Sequence, residues 1–83
     1  MVNIPVKFAS FKELMRGHPQ QLRTVIETSE LNRLSTGCYV RVACEGASIT
    51  TTLVSEPLVI ANHPGTQRKE VALHVRYGDD NEQ

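Results

Sequence analysis

The chain has 83 residues, 40% hydrophobic and 22% charged: a composition that folds, and a length that buries only about 60% of the unfolded surface, which disfavours a deep substrate pocket. Formal net charge is zero, and residues 1 to 78, without Asp79, Asp80 and Glu82, carry nine basic and six acidic side chains, too few cations for a duplex DNA binder that relies on many phosphate contacts. Four aromatics, Phe8, Phe11, Tyr39 and Tyr77, with no Trp, also disfavour an aromatic-rich single-strand binder.

Val2, Ile4, Val6 and Phe8 alternate with Asn3, Pro5 and Lys7, the period of a strand with one buried face. Pro5 cannot donate to a ladder, which assigns that strand to an edge or sets Pro5 on its unpaired side. Ser10, with Glu13 three residues on, forms a capping box and predicts a short helix from Phe11 to Arg16. Gly17 can end that helix and Pro19 suits the first turn of another, so MRGHPQQLRT, residues 15 to 24, reads as a joint between two helices. Leu22, Val25 and Ile26 share a helical face. Arg23 to Thr28 is also rich in β-branched residues and fits a strand, with helix the preferred of the two.

Ser35-Thr36-Gly37 is a turn, and the rest reads as sheet. Cys38, Val40, Val42 and Cys44 fall on one face of a strand, with Tyr39, Arg41 and Ala43 on the other. Glu45-Gly46-Ala47-Ser48 is a hairpin connection, and Ile49 to Val54 returns antiparallel. Pro57 bends or breaks that strand, Leu58-Val59-Ile60 extends it or starts another, and Asn62 to Gln67 is a loop by composition. Val71, Leu73, Val75 and Tyr77, alternating with Ala72, His74 and Arg76, make the last strand. Residues 1 to 78 form a single domain and 79 to 83 a disordered acidic tail. The expected fold is α+β: one or two short N-terminal helices packed on a small, mainly antiparallel sheet of about four strands, open or partly closed into a barrel.

If the strands that carry them lie close, Tyr39, Arg41, His74 and Arg76 form a small basic and aromatic patch suited to phosphate, RNA or an acidic protein surface. The same alternation also arises on any solvated sheet face. Arg16, His18 and Arg23 near the first loop, and His63, Arg68 and Lys69 near the second, would give a positive rim to one end of the sheet. Cys38 and Cys44 lie roughly 20 Å apart along an extended strand, too far to bridge, and read as small core residues. No metal site is expected, because His18, His63, His74 and the two cysteines lack the close paired spacing of structural zinc sites. No catalytic motif or cofactor fingerprint occurs, and strand propensity explains Thr50-Thr51-Thr52.

FKELMRG (residues 11 to 17), STGCYVRV (35 to 42), ITTTLVSEPLVI (49 to 60) and VALHVRY (71 to 77) come in an order that resembles the small ASCH domains of the PUA-like superfamily. In those domains a helix ending in Gly, a connecting segment, a turn entering a strand and further strands close a compact barrel. Family members usually carry a Lys and an acidic-x-Arg cluster after that Gly. This chain has HPQQLRTVIET there, with Arg23, Thr24 and Glu27 as nearest equivalents, and Cys38 follows Gly37 where the family prefers Asp. The resemblance implies RNA or nucleotide binding and, through the amidohydrolases among its small members, a hydrolase that uses Arg23, Thr24 and Glu27.

These residues favour a non-enzymatic binding module that acts through a macromolecular partner, with protein first, as a regulator or inhibitor. RNA comes second and an ASCH-type hydrolase third. The chain carries no signal peptide or apolar run of membrane length, which gives a cytoplasmic expectation with no membrane partner. Pairing of an edge strand into a homodimer fits so small a core.

Overall fold

The computed structural model describes residues 2–78, which form six strands and two helices: β1 (Asn3–Pro5), α1 (Phe8–Met15), β2 (Gln20–Glu27), α2 (Thr28–Leu31), β3 (Tyr39–Cys44), β4 (Ala47–Leu53), β5 (Leu58–His63) and β6 (Arg68–Tyr77). The acidic tail expected at 79 to 83 lies outside the described residues. The α+β class and a first short helix agree with the sequence; the second helix, expected from Gln20 onward, is not formed there, and a short one occurs at Thr28–Leu31 instead. The sheet has six strands rather than about four, curls into a nearly closed barrel-like form, and runs in the order β1-β3-β4-β6-β2, with β5 also paired to β6.

β6 is laddered along both edges. One edge takes β2 over its whole length, from Glu27 opposite Arg68 to Gln20 opposite Val75. The other edge is shared: β4 lies opposite Val75 to Tyr77, and β5 opposite Arg68 to Ala72. The chain from Ala47 to His63 thus starts beside β3 and ends beside β6, bending at Ser55-Glu56-Pro57 where proline interrupts the ladder. Thr36 holds that bend from across the molecule, its backbone N–H and its Oγ1 both donating to Glu56 Oε2 at 3.0 Å.

Period-two patterning sends Ile4, Val40, Val42, Leu53, Val71, Leu73 and Val75 inward, where they meet Leu14 of α1; each is at most 1% exposed. Thr51 is buried among them with its hydroxyl satisfied, Oγ1 donating to the Val40 carbonyl at 2.8 Å. β3 alternates as its sequence indicates. Cys44 is buried and Cys38 half-buried, both thiols are free, and Cys38 Sγ donates to the Arg33 carbonyl at 3.6 Å. Glu45 and Gly46 both adopt positive φ, +48° and +88°, the two-residue hairpin turn whose twist matches the flanking strands.

Residues 20 to 27 are strand, not the preferred helix. Leu22, Val25 and Ile26 satisfy a helical stripe, but Leu22, Thr24 and Ile26 also alternate, and the open edge of β6 supplies an eight-residue ladder that a helix could not use. The joint at MRGHPQQLRT therefore links a helix to a strand. Gly17, at φ +88°, ends α1 as expected, its N–H donating to the Leu14 carbonyl while His18 N–H reaches the Glu13 carbonyl. α1 starts at Phe8, before the expected capping box: Lys7 is the N-cap with no side-chain bond, and Glu13 turns to His18 instead. Phe8 consequently leaves the alternating strand and is exposed. Asn62 and His63, expected in a loop, complete β5. Ala72, expected on the solvated face, is buried because its register partners Arg23 and Leu58 flank it with longer side chains.

Leu73→Ala should cost about 2–5 kcal/mol in urea unfolding, the range for truncating a buried leucine, while Val25→Ala on the exposed face stays within about 0.5 kcal/mol. The bonds from the Thr36 backbone and side chain hold the Glu56 carboxyl below its ordinary value of 4.5. The carboxylate's contribution is therefore fully present above that value and is lost as pH falls through the lowered one. Thermal melts of Glu56→Gln between pH 7 and pH 3 should show a smaller decline with acidification than the parent chain.

Candidate binding face of the sheet

Strand register carries the outward-facing residues into rows, because directly paired residues point to the same side. Arg41 of β3 sits between Asn3 of β1 and Thr50 of β4. Tyr39 pairs with Thr52, which pairs with Arg76 of β6. His74 pairs with Gln21 of β2, and Ala72 with Arg23. Five of the residues singled out from sequence, Tyr39, Arg41, His74, Arg76 and Arg23, thus share the outer face and are exposed. Tyr39 and Arg76 lie two strand spacings apart, roughly 10 Å.

Among the described residues this outer face carries no carboxylate in the rows from Asn3 to Arg23. The first acids, Glu70 and Glu27, come farther along, in the rows of Val25 and Arg68. Arg41 is partly committed: its Nη1 donates to Ser48 Oγ at 3.3 Å, which draws the guanidinium toward the β3–β4 hairpin and away from Tyr39.

Arg16 and His18 are not on the face. Both gather around Glu13, with His18 Nδ1 2.7 Å from Oε1 and Arg16 Nη1 3.6 Å from Oε2. The hydrogen bond from His18, followed by the nearby charges of His18, Arg16 and Lys12, holds the Glu13 carboxyl below its ordinary value despite some desolvation. The expected single positive rim is not formed. His18 precedes Gln20, which lies opposite Val75 near one end of β6, whereas His63 and Arg68 pair at the other end, beside Glu27.

A cleft of about 260 Å³ opens beside the face, lined by Val2, Glu30, Arg33, Leu34, Cys38 and Tyr39. Tyr39 belongs to both the cleft and the face. Sequence reasoning missed Arg33 because its position depends on the short α2, which no periodicity announced. Arg23, Thr24 and Glu27 do not converge: Thr24 is half-buried on the inner side of β2, while Arg23 and Glu27 are exposed on the outer side. Among the described residues, no cluster of three or more His, Cys, Asp or Glu could hold a metal ion, and no helix is long and apolar enough to cross a membrane.

No family model, curated protein or solved structure matches this chain.

The Glu13 arrangement predicts that NMR titration of the side-chain carboxyls places the Glu13 midpoint below 4.5. His18→Ala should move that midpoint back up and leave Glu56 unchanged, since the two acids have different partners.

Proposed function

We propose that this chain is a non-enzymatic binding module whose sheet face, bearing Arg23, Tyr39, Arg41, His74 and Arg76 and no carboxylate among the described residues of these rows, docks on an acidic macromolecular surface, a protein's before a nucleic acid's, in the manner of a small regulator or inhibitor. The observation that carries this reading is the unbroken run of rows from Asn3 to Arg23 with three arginines, a histidine, a tyrosine and, among the described residues, no acid. Arginine forks pair with carboxylates in fixed geometry, and a one-signed patch steers an oppositely charged partner. Protein is favoured because Tyr39 is the lone aromatic of these rows and the chain has no net charge, which gives little stacking and little counterion release.

RNA is the second reading. Two observations favour it: residues 20 to 27 are extended, and the sheet is nearly closed, as the resemblance to PUA-like domains would require. Tyr39 would stack a base while Arg76 takes a phosphate. The hydrolase reading also needs this segment extended, but as a strand lining a cleft, and Thr24 faces away from Arg23 and Glu27, so the three do not make one site.

The test is a pull-down from lysate with the intact chain, repeated after nuclease treatment, with RNA titrations alongside. A reproducible, nuclease-resistant protein partner is expected, and the charge reversal Arg23→Glu with Arg76→Glu should weaken its binding by at least about tenfold without loss of fold. No reproducible partner, or a partner indifferent to the reversal, sinks the proposal. Salt-sensitive RNA binding that needs Tyr39 would put the second reading first.

A further inference from the structure

Among the described residues three strands, β1, β2 and β5, border the sheet, and they differ. β1 is three residues long and ends in Pro5, which cannot donate to an added strand. β2 carries Arg23 and Glu27 and has both helices packed near it. β5 is bare. Its one substantial neighbour among the described elements is β6, and its sequence, Leu58-Val59-Ile60-Ala61-Asn62-His63, has no acid, lysine, arginine or proline to discourage pairing. Leu58, Val59 and Ile60 are 60%, 42% and 40% exposed, and they are the one place where exposed large apolar side chains are consecutive in the described chain.

Val59 shows what is missing. It pairs with Val71, whose side chain is fully buried on the inner face, so Val59 belongs to that interior row, yet it is only partly covered and stays 42% exposed. The core stops one strand short of its own apolar pattern.

We infer that β5 is the interface of a homodimer, in which a second copy adds its own β5 antiparallel across a two-fold axis. The occupant is a second copy because the strand is complementary to itself. With the axis beside Val59, Leu58 of each copy lies opposite Ile60 of the other and Val59 meets its equivalent, so every apolar residue gains an apolar neighbour and no like charges oppose. The zero net charge of the chain removes long-range repulsion between copies. The ladder is short, since Pro57 bounds it on one side and a bulge between Val59 and Ala61 bends the strand. A single short strand covers less than the roughly 1,200 Å² of a standard stable interface, so the dimer should be weak, with dissociation on the order of micromolar or above. Tyr39, Arg41, His74 and Arg76 of the basic face lie on β3 and the far half of β6, away from β5; only Arg23 of β2 shares a row with β5, across Ala72 from Leu58, and pairing along the outer edge of β5 leaves these residues open in both copies.

Sedimentation of the full chain from about 5 to about 500 µM, which brackets that affinity range, is the test. The parent should pass from monomer to dimer. Leu58→Lys and Ile60→Lys should each raise the dissociation constant by at least about tenfold, and Phe8→Lys, at an equally exposed apolar site on α1, should leave it unchanged. Amide exchange supplies a second readout within the parent chain: protection at residues 58 to 63 should rise with concentration. A parent that stays monomeric throughout, or a dimer that survives both β5 substitutions, overturns the inference. So does a dimer lost in Phe8→Lys, which would place self-association on α1 instead.

Discussion

The fold hangs on β6. Its ten residues hold two ladders at once, β2 along one edge and the β4–β5 path along the other, so every other strand except the β1–β3 margin is positioned directly by it. Hydrogen bonding alone would not secure so small a sheet, because each backbone bond merely replaces one with water. The net stabilisation comes from Val71, Leu73 and Val75 being excluded from solvent between Leu22 and Ile26 on one side and Leu53 on the other, with Leu14 of α1 capping the same cluster. The curl of the sheet follows. A two-edged central strand with all its large apolar side chains on one face curves its neighbours around that face.

The same constraint decides where polar chemistry can sit. With the interior occupied by aliphatic side chains, groups able to recognise a partner are confined to the outer rows, the α1–β2 loop and the cleft beside Tyr39. The outer rows differ in charge along β6. Among the described residues the half nearest β1 and β3 carries cations alone, whereas the other half is mixed, with Glu70 beside Val25 and Glu27 beside Arg68. The apolar β5 margin lies mainly against the latter half and meets the charged face only at the row of Arg23, Ala72 and Leu58. A partner on one need not exclude a copy on the other.

How much of this was legible can be judged element by element. β3 and β6 announced themselves through strict alternation and β4 through its threonines and the hairpin before it, and Gly17, Pro5 and Gly46 acted at their positions as backbone stereochemistry requires. The four-residue patch of Tyr39, Arg41, His74 and Arg76 was legible as two outward-facing pairs, although only register could show that Thr52 bridges Tyr39 to Arg76. Arg23 joined the patch because its segment became strand. Arg16 and His18, expected with Arg23 in a positive rim, turn instead to Glu13, which is free of the capping role its spacing suggested.

What the sequence determined by itself was therefore local: which residues alternate, which faces are apolar, and where the backbone must turn. These follow from side-chain chemistry and φ/ψ sterics within a few residues, and a single chain carries that information openly. What only the tertiary structure decided was non-local. Residues 20 to 27 satisfy both a helical and an extended pattern, and the unpaired edge of β6, more than forty residues away in the chain, chose between them by offering a ladder. The strand count, the burial of Ala72, the alignment of the basic rows and the bare margin of β5 share that origin. Each depends on which strand lies beside which, and no periodicity within a segment encodes its neighbour.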